Sequence, residues 1–254
     1  MMKQTMKVTE GEIMLYVVGF GPGKLDYFTN EAQEAIKESD LIVGYTTYID
    51  IIREYFSEKQ LYHTPMKKEV ERCRYAIEEV LKGRTVAIVS SGDSGVYGLA
   101  GLIYELSVEY PPIEIEIIAG VTAALSGGAI LGAPLTHDFA VISLSDLLTP
   151  WELIKKRIEF ASEADFVICL YNPASKKRAD YLKIACEYMM HYKAKDTVCG
   201  YVKNIGRLGQ EAVICTLEEL KDKTVDMFTT VYIGNSKTRM IQGKMVTPRG
   251  YRIS

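Results

Sequence analysis

Three glycine-bearing segments could hold a polar ligand by its backbone contacts: Gly19-Phe20-Gly21-Pro22-Gly23, Ser90-Ser91-Gly92-Asp93-Ser94-Gly95-Val96-Tyr97-Gly98 and Ala119-Gly120-Val121-Thr122-Ala123-Ala124. Glycine lets a backbone approach a ligand closely and present its amides. The first loop invites a dinucleotide reading, which requires a helix opening directly on the glycines and an acidic residue closing the second strand. Here Pro22 interrupts the loop, the next helical pattern starts only at Asn30, and the second apolar run ends in Gly44-Tyr45. Nicotinamide and flavin binding fail both requirements. A plain tight turn stays open for this loop taken alone. In the second segment, which leaves a strand and enters a helix, Asp93 either caps that helix through its backbone amides or accepts a hydrogen bond from a ligand. In the third, Thr122 is either a helix N-cap or part of a small-residue surface that lets a flat ring reach the backbone.

The elements that must position these loops are read from hydrophobic periodicity. Strand-type runs fall at 13–19, 40–44, 85–90 and 113–118, and helical patterns at 30–38, 47–56, 67–82, 95–108 and 122–131. Asn30 is the expected N-cap of the first helix, with Gln33 placed for a capping box. Each glycine loop follows a strand, which puts it at the carboxyl edge of a sheet, where α/β proteins bind ligands. Pro134 and Thr136-His137-Asp138 mark the expected domain boundary, giving an N-terminal domain over 13–134 and a C-terminal domain over 135–254. Beyond it, strands are expected at 139–144, 165–170, 197–202, 211–215 and 229–234, and helices at 150–161 and 177–191, with a short turn at 217–220. That last spacing is too short for a parallel crossover. The fold class is α/β: two αβα domains, mostly parallel in the first and mixed in the second.

Composition narrows the function classes. The 254 residues are 48% hydrophobic and 25% charged, an ordinary globular mix. Thirty basic against 33 acidic residues leave a net charge of −3, which argues against a nucleic-acid partner. The five cysteines are scattered without CxxC or CxxH spacing, so neither a disulfide framework nor a protein-bound metal is expected, and a reducing cytoplasm fits. Residues 1–12 are mostly polar, so no secretory leader is expected, and Met14 is an alternative start. The uncharged stretch 117–137 is long enough to suggest a membrane span, but it holds Gly120, Gly127, Gly128, Gly132 and Pro134. It reads instead as a buried strand entering a helix of small residues, with no membrane partner.

Taken together and in this order, the three loops resemble the tetrapyrrole methylase family. More specific strings extend the match over about 14–251: Gly132-Ala133-Pro134-Leu135-Thr136-His137-Asp138-Phe139, 143–152 (SLSDLLTPWE), Leu170-Tyr171-Asn172-Pro173-Ala174-Ser175-Lys176-Lys177-Arg178, Gly234-Asn235-Ser236-Lys237-Thr238 and Thr247-Pro248-Arg249-Gly250-Tyr251. These are similar to the branch of the family that contracts the macrocycle in cobalamin biosynthesis. Its members methylate C-17 of a precorrin-3B or cobalt-factor III type tetrapyrrole. Ala119 departs from the family's usual proline, a change without chemical consequence.

The resemblance implies an S-adenosylmethionine-dependent C-methyltransferase, a cleft between the two domains, a homodimer and a tetrapyrrole substrate. Carried over, the cofactor contacts are Gly92, Asp93, Val96, Thr122, Ala123, Tyr171 and Asn172. The first loop (Gly19, Gly21, Pro22, Gly23) would line the macrocycle side. A substrate rich in carboxylates calls for local cations, and Lys176, Arg178, Arg239 and Arg249 are the candidates, with Lys177, Lys203 and Arg207 beside them. Contraction needs a positioned acid or base. His137 and Asp138 precede the strand at 139–144, and Ser145 and Asp146 follow it. The carboxyl end should face the site, so Ser145 and Asp146 are the catalytic candidates, with capping of the next helix as their plain alternative. The rival functions are methylation of another corrin carbon by the same fold, and non-catalytic binding of a tetrapyrrole or adenosyl ligand.

Overall fold

The computed structural model describes residues 13–175 and 178–252. Lys176 and Lys177 lie outside the described residues, as does the segment 1–12 on which the expectation of no leader rests. The chain divides into two compact units, Met1–Thr122 and Ala123–Ser254.

The first unit is built on five parallel strands: β1 (Met14–Gly19), β2 (Leu41–Tyr45), β3 (Gln60–Thr64), β4 (Val86–Ser90) and β5 (Glu114–Ile118), in the order β3-β2-β4-β1-β5. A parallel sheet covered on both faces needs strands that are apolar throughout. Residues 14–19 and 86–90 are accordingly buried at every position. Alternation sorts them. Tyr16, Val18, Ile42, Ala87 and Val89 pack under α1 (Asn30–Glu38) and α2 (Thr46–Tyr55). Leu15, Val17, Val43, Val86 and Ile88 pack under α3 (Glu69–Leu81) and α4 (Ala100–Ser107). Each such aliphatic side chain, fully buried, contributes roughly 1.5–3 kcal/mol. The N-cap of α1 is Thr29 and not the expected Asn30. Thr29 is extended and its hydroxyl accepts the Ala32 N–H at 3.0 Å, so Asn30 is already helical.

The second unit holds β7 (Phe139–Ser143), β8 (Val167–Tyr171), β9 (Val198–Lys203), β10 (Glu211–Thr216) and β11 (Thr229–Ile233), in the order β10-β9-β11-β8-β7. Only β7 and β8 are parallel; the other pairs are antiparallel, so the sheet is mixed. Ile142, Ile168, Leu170, Val231 and Ile233 face α6 (Trp151–Glu163), α7 (Tyr181–Met189) and the short α8 (Leu217–Leu220). Cys169, Val202 and Tyr232 face α5 (Ala123–Leu131), which presents Ala124 and Leu131. Gly127 of α5 has no room for a side chain, because the Tyr232 hydroxyl fills the space where its Cβ would stand. Since α5 packs on this second sheet, the division falls at Thr122 and not after Pro134. Three very short strands, β6 (Gly132–Ala133), β12 (Arg239–Ile241) and β13 (Lys244–Val246), form a further small sheet with no forerunner in the sequence reading.

The uncharged stretch 117–137 resolves into the end of β5, a loop, the nine-residue α5, β6 and a turn. Among the described residues no helix is long and apolar enough to cross a membrane. All five cysteines are free, and burial pushes the Cys73 and Cys186 thiols up to about 12.

Candidate functional site

In the first unit the carboxyl ends of β1, β4 and β5 bring the three glycine loops together. Gly21 and Gly92 exchange two backbone hydrogen bonds: the Gly21 N–H donates to Gly92 O at 3.0 Å, and the Gly92 N–H to Gly21 O at 2.7 Å. Gly21 and Gly92 both sit at positive φ, +75° and +73°, which glycine adopts without penalty. A Cβ on Gly19 would stand 2.8 Å from Gly92 O and 2.9 Å from Gly120 N, so the backbones themselves are in contact. Ser94 donates to Val17 O at 3.0 Å and fastens the second loop beneath β1.

Asp93 is held by the backbone through both carboxylate oxygens. Its Oδ1 accepts the Gly95 N–H at 2.8 Å and its Oδ2 the Gly120 N–H at 2.9 Å. The carboxylate thus shapes its own loop and ties it to the next one. It does not cap a helix, because α4 begins only at Ala100. Val96 is half-buried one turn further on, and Thr122 is half-buried directly before α5. Gly21, Pro22 and Gly23 are buried; the loop rests on Tyr27, whose carbonyl would lie 2.8 Å from a Cβ on Gly21. The result is a cluster that offers backbone groups and few charges.

In the second unit the carboxyl ends of β7 and β8 form another cluster. Ser143 lies opposite Tyr171 in register. The Tyr171 hydroxyl accepts the Ala124 N–H at 2.7 Å, joining β8 to the first turn of α5, where Ala123 sits. Asn172 follows at φ +53°, a left-handed conformation asparagine tolerates, and its Nδ2 donates to Ser143 Oγ at 3.0 Å. The Ser145 N–H donates to the same oxygen at 3.2 Å. Asp146 Oδ2 accepts the Tyr181 hydroxyl at 2.7 Å, and that bond pushes the Tyr181 pKa up. Asp146 Oδ1 lies 3.6 Å from Arg178 Nε, which also donates to Ser175 Oγ at 3.1 Å. Trp151 packs on Tyr181 with ring centroids 4.3 Å apart.

The structure therefore gathers Ser145, Asp146, Tyr171, Asn172 and Arg178 at one sheet edge, but it spends Arg178 on Asp146, Ser175 and the Leu144 carbonyl. Arg239 and Arg249 belong elsewhere. Arg239 is exposed on β12, and Arg249 donates to Thr136 O at 3.4 Å, beyond the far end of α5. Nine helical residues, about 13 Å, separate that end from the Tyr171 contact. Lys203 is paired with Asp226 at 2.7 Å, and Arg207 lies over the Phe228 ring. His137 and Asp138 bond to each other at the opposite, amino end of β7. Two members of the cluster, Ser143 and Tyr181, carry no signal in the sequence that marks them for the site.

Residues 14–221 match the model of the Tetrapyrrole (Corrin/Porphyrin) Methylases, and the chain belongs to this family of methyltransferases. It is 46% identical over 241 residues to the probable cobalt-factor III C(17)-methyltransferase of Salmonella typhimurium, covering 94% of this chain and 100% of that one. It is 45% identical over 243 residues to the cobalt-factor III methyltransferase of Priestia megaterium, covering 94% of this chain. Of that longer relative it spans only 45%. Among solved structures, that of the methyltransferase CobJ superposes with a TM-score of 0.85 at 34% identity, covering 94% of this chain and 100% of the other.

Proposed function

We propose that the protein transfers a methyl group from S-adenosylmethionine to C-17 of a cobalt-factor III or precorrin-3B type tetrapyrrole, with ring contraction, in cobalamin biosynthesis. The observation that carries this reading is the backbone contact of Gly19, Gly92 and Gly120, with the Asp93 carboxylate engaged by two amides. A cradle of this kind suits a cofactor bearing a purine, a ribose and a sulfonium, because it offers close backbone approach and its Asp93 carboxylate is already held by two amides. The names of the relatives support the substrate class.

When bound, the cofactor supplies an electrophilic methyl group, which the electron pair of a macrocycle carbon attacks. The chain's own part is placement, and orientation alone can contribute up to roughly 7–11 kcal/mol in the best intramolecular cases. Gly92, Asp93, Val96, Thr122, Ala123, Tyr171 and Asn172 are assigned to the cofactor on the resemblance. Gly19, Gly21, Pro22 and Gly23 are assigned to the macrocycle. Of the substrate cations, Arg178 acts by holding Asp146, while the exposed Arg239 and Arg249, which stand away from both clusters, are assigned to substrate carboxylates on the resemblance alone. Lys176 is assigned with them on the resemblance alone. We place proton handling during contraction at Ser145 and Asp146, with Asp146 working through its bond to Tyr181. A cytoplasmic homodimer completes the proposal, and light scattering of the purified protein checks the dimer.

Anaerobic incubation with S-adenosylmethionine and cobalt-factor III, followed by mass spectrometry and absorption spectroscopy, tests the function. One added methyl group with the spectrum of a contracted ring is the expected outcome. Turnover of metal-free precorrin-3B alone would move the protein to the cobalt-late route. No reaction with either would leave a binding protein.

A further inference from the structure

Ser143 is an ordinary strand-end serine in the sequence, yet its hydroxyl oxygen is engaged on two sides. A hydroxyl oxygen has two acceptor positions and one proton to donate. Both acceptor positions of Ser143 are taken, by Asn172 Nδ2 at 3.0 Å and by the Ser145 N–H at 3.2 Å. Its proton has no acceptor among the described residues, and the side chain is only half-buried. Ser143 stands beside Tyr171 in register, and side chains at paired parallel positions share a face of the sheet. Tyr171 in turn touches the first turn of α5 through the Ala124 N–H. The hydroxyl proton is thus left to point away from Asn172 Nδ2 and the Ser145 amide, at the strand end that Ser143 shares with Tyr171.

We propose that Ser143 donates a hydrogen bond to an oxygen or ring nitrogen of the adenosyl part of the cofactor, and that Asn172 enforces this polarity by filling the serine oxygen from behind. A hydroxyl donor has no use for the sulfonium, which accepts nothing, so the acceptors are the ribose oxygens and the purine nitrogens. The inference rests on the cofactor reading above.

Calorimetric titration with S-adenosylhomocysteine tests it without turnover. Ser143→Ala should weaken binding about tenfold, the equivalent of one buried hydrogen bond, while Ser143→Thr, which keeps the hydroxyl, should stay within about threefold of the parent. Asn172→Asp keeps the shape and tolerates the left-handed backbone, but its carboxylate accepts the serine proton and turns it inward. It should bind about as weakly as Ser143→Ala, and the double variant should be no weaker than either alone, since both changes remove the same donor. Circular dichroism and melting curves should match the parent throughout. Affinity of Ser143→Ala within twofold of the parent, or undiminished binding by Asn172→Asp, overturns the inference. So does a raised KM for the macrocycle with unchanged homocysteine-ligand affinity, which would place the donor on the substrate. A parent protein that does not bind S-adenosylhomocysteine at all sinks the cofactor reading itself, a result distinct from a loss confined to the variants.

Discussion

Asp93 and Gly120 are joined across two loops: the carboxylate Oδ2 accepts the Gly120 amide at 2.9 Å while Oδ1 holds the Gly95 amide at 2.8 Å. One side chain therefore sets the distance between the loop after β4 and the loop after β5. Removing it should loosen both. Asp93→Ala is expected to lower S-adenosylhomocysteine affinity and to cost about 1–2 kcal/mol of stability, the range for hydrogen bonds to a charged group reduced for partial exposure. Calorimetry and urea unfolding read the two effects; unchanged affinity would remove Asp93 from the cofactor set.

Two glycine-to-alanine changes should act in opposite directions. A Cβ on Gly120 would run into the carbonyls of Gly92 and Gly19, so Gly120→Ala should destabilise by about 1–3 kcal/mol and open the cradle. Gly101, in α4, has nothing within 4 Å of its absent Cβ. Gly101→Ala should stabilise by about 0.5–1 kcal/mol through helix propensity alone. Chemical denaturation of both variants decides the matter.

Asp146 has Tyr181 at 2.7 Å and Arg178 at 3.6 Å, so its contribution can be divided. If Asp146 handles a proton through Tyr181, Asp146→Asn should impair contraction more than methylation, and Tyr181→Phe should reproduce that split. Single-turnover assays that follow methyl incorporation and the ring spectrum separately provide the measurement. An equal loss of both steps, accompanied by a lowered Tm, would make the pair a structural fastening for the start of α7.

Acid sensitivity follows from Glu79, whose carboxylate is bonded to Lys82 at 2.7 Å and to Arg84 at 2.8 Å. The Lys82 bond, with Arg84 adding to it, outweighs burial and holds the Glu79 pKa below its ordinary value. A depressed carboxylate pKa contributes stability that is present above the unfolded value, near about 4.3, and is lost as pH falls through the folded one. The urea midpoint should therefore fall between about pH 5 and pH 3, and Glu79→Gln should flatten that fall by about 1 kcal/mol while lying below the parent at pH 7. An unchanged slope would assign the acid limb to other carboxylates.

Much of this fold was legible because its signals are local. The apolar runs 86–90 and 167–171 could hardly be other than buried strands, and α1 spans Asn30–Glu38 as its periodicity predicts. Where local bonds compete with periodicity, the helix starts later than its pattern predicts. Helix was expected from Gly95, but the Asp93 bond to the Gly95 amide, the left-handed Tyr97 and the Ser94 carbonyl held by the Ala100 amide delay α4 to Ala100. The strand Gln60–Thr64 was missed because it is a largely polar edge, exposed or half-buried at four of five positions. The two- and three-residue strands of the small sheet are too short for any period to show.

The candidate site divides in the same way. Glycine loops announce themselves, since close backbone approach leaves few other residue types. Ser143 and Tyr181 do not, because their meaning lies in partners 29 and 35 residues away, Asn172 and Asp146. A serine at a strand end and a tyrosine in a helix are ordinary residues until those partners are placed beside them. The cations show the converse: loop position and the carboxylate-rich substrate that the resemblance implies point to Arg178, and only geometry shows it occupied by Asp146 and Ser175.

The position of β1 has a consequence for how the molecule comes into being. Its residues pair with β4 on one side, Leu15 against Val86, and with β5 on the other, Met14 against Glu114. During synthesis this strand leaves the ribosome before every other strand of its sheet, yet its last neighbour is complete only when Ile118 has emerged. Contacts so distant along the chain close slowly, and an apolar strand without its neighbours invites wrong partners. The nascent first unit must therefore keep Leu15, Val17 and Val18 from aggregating through most of its own translation, and its sheet closes around the oldest strand last.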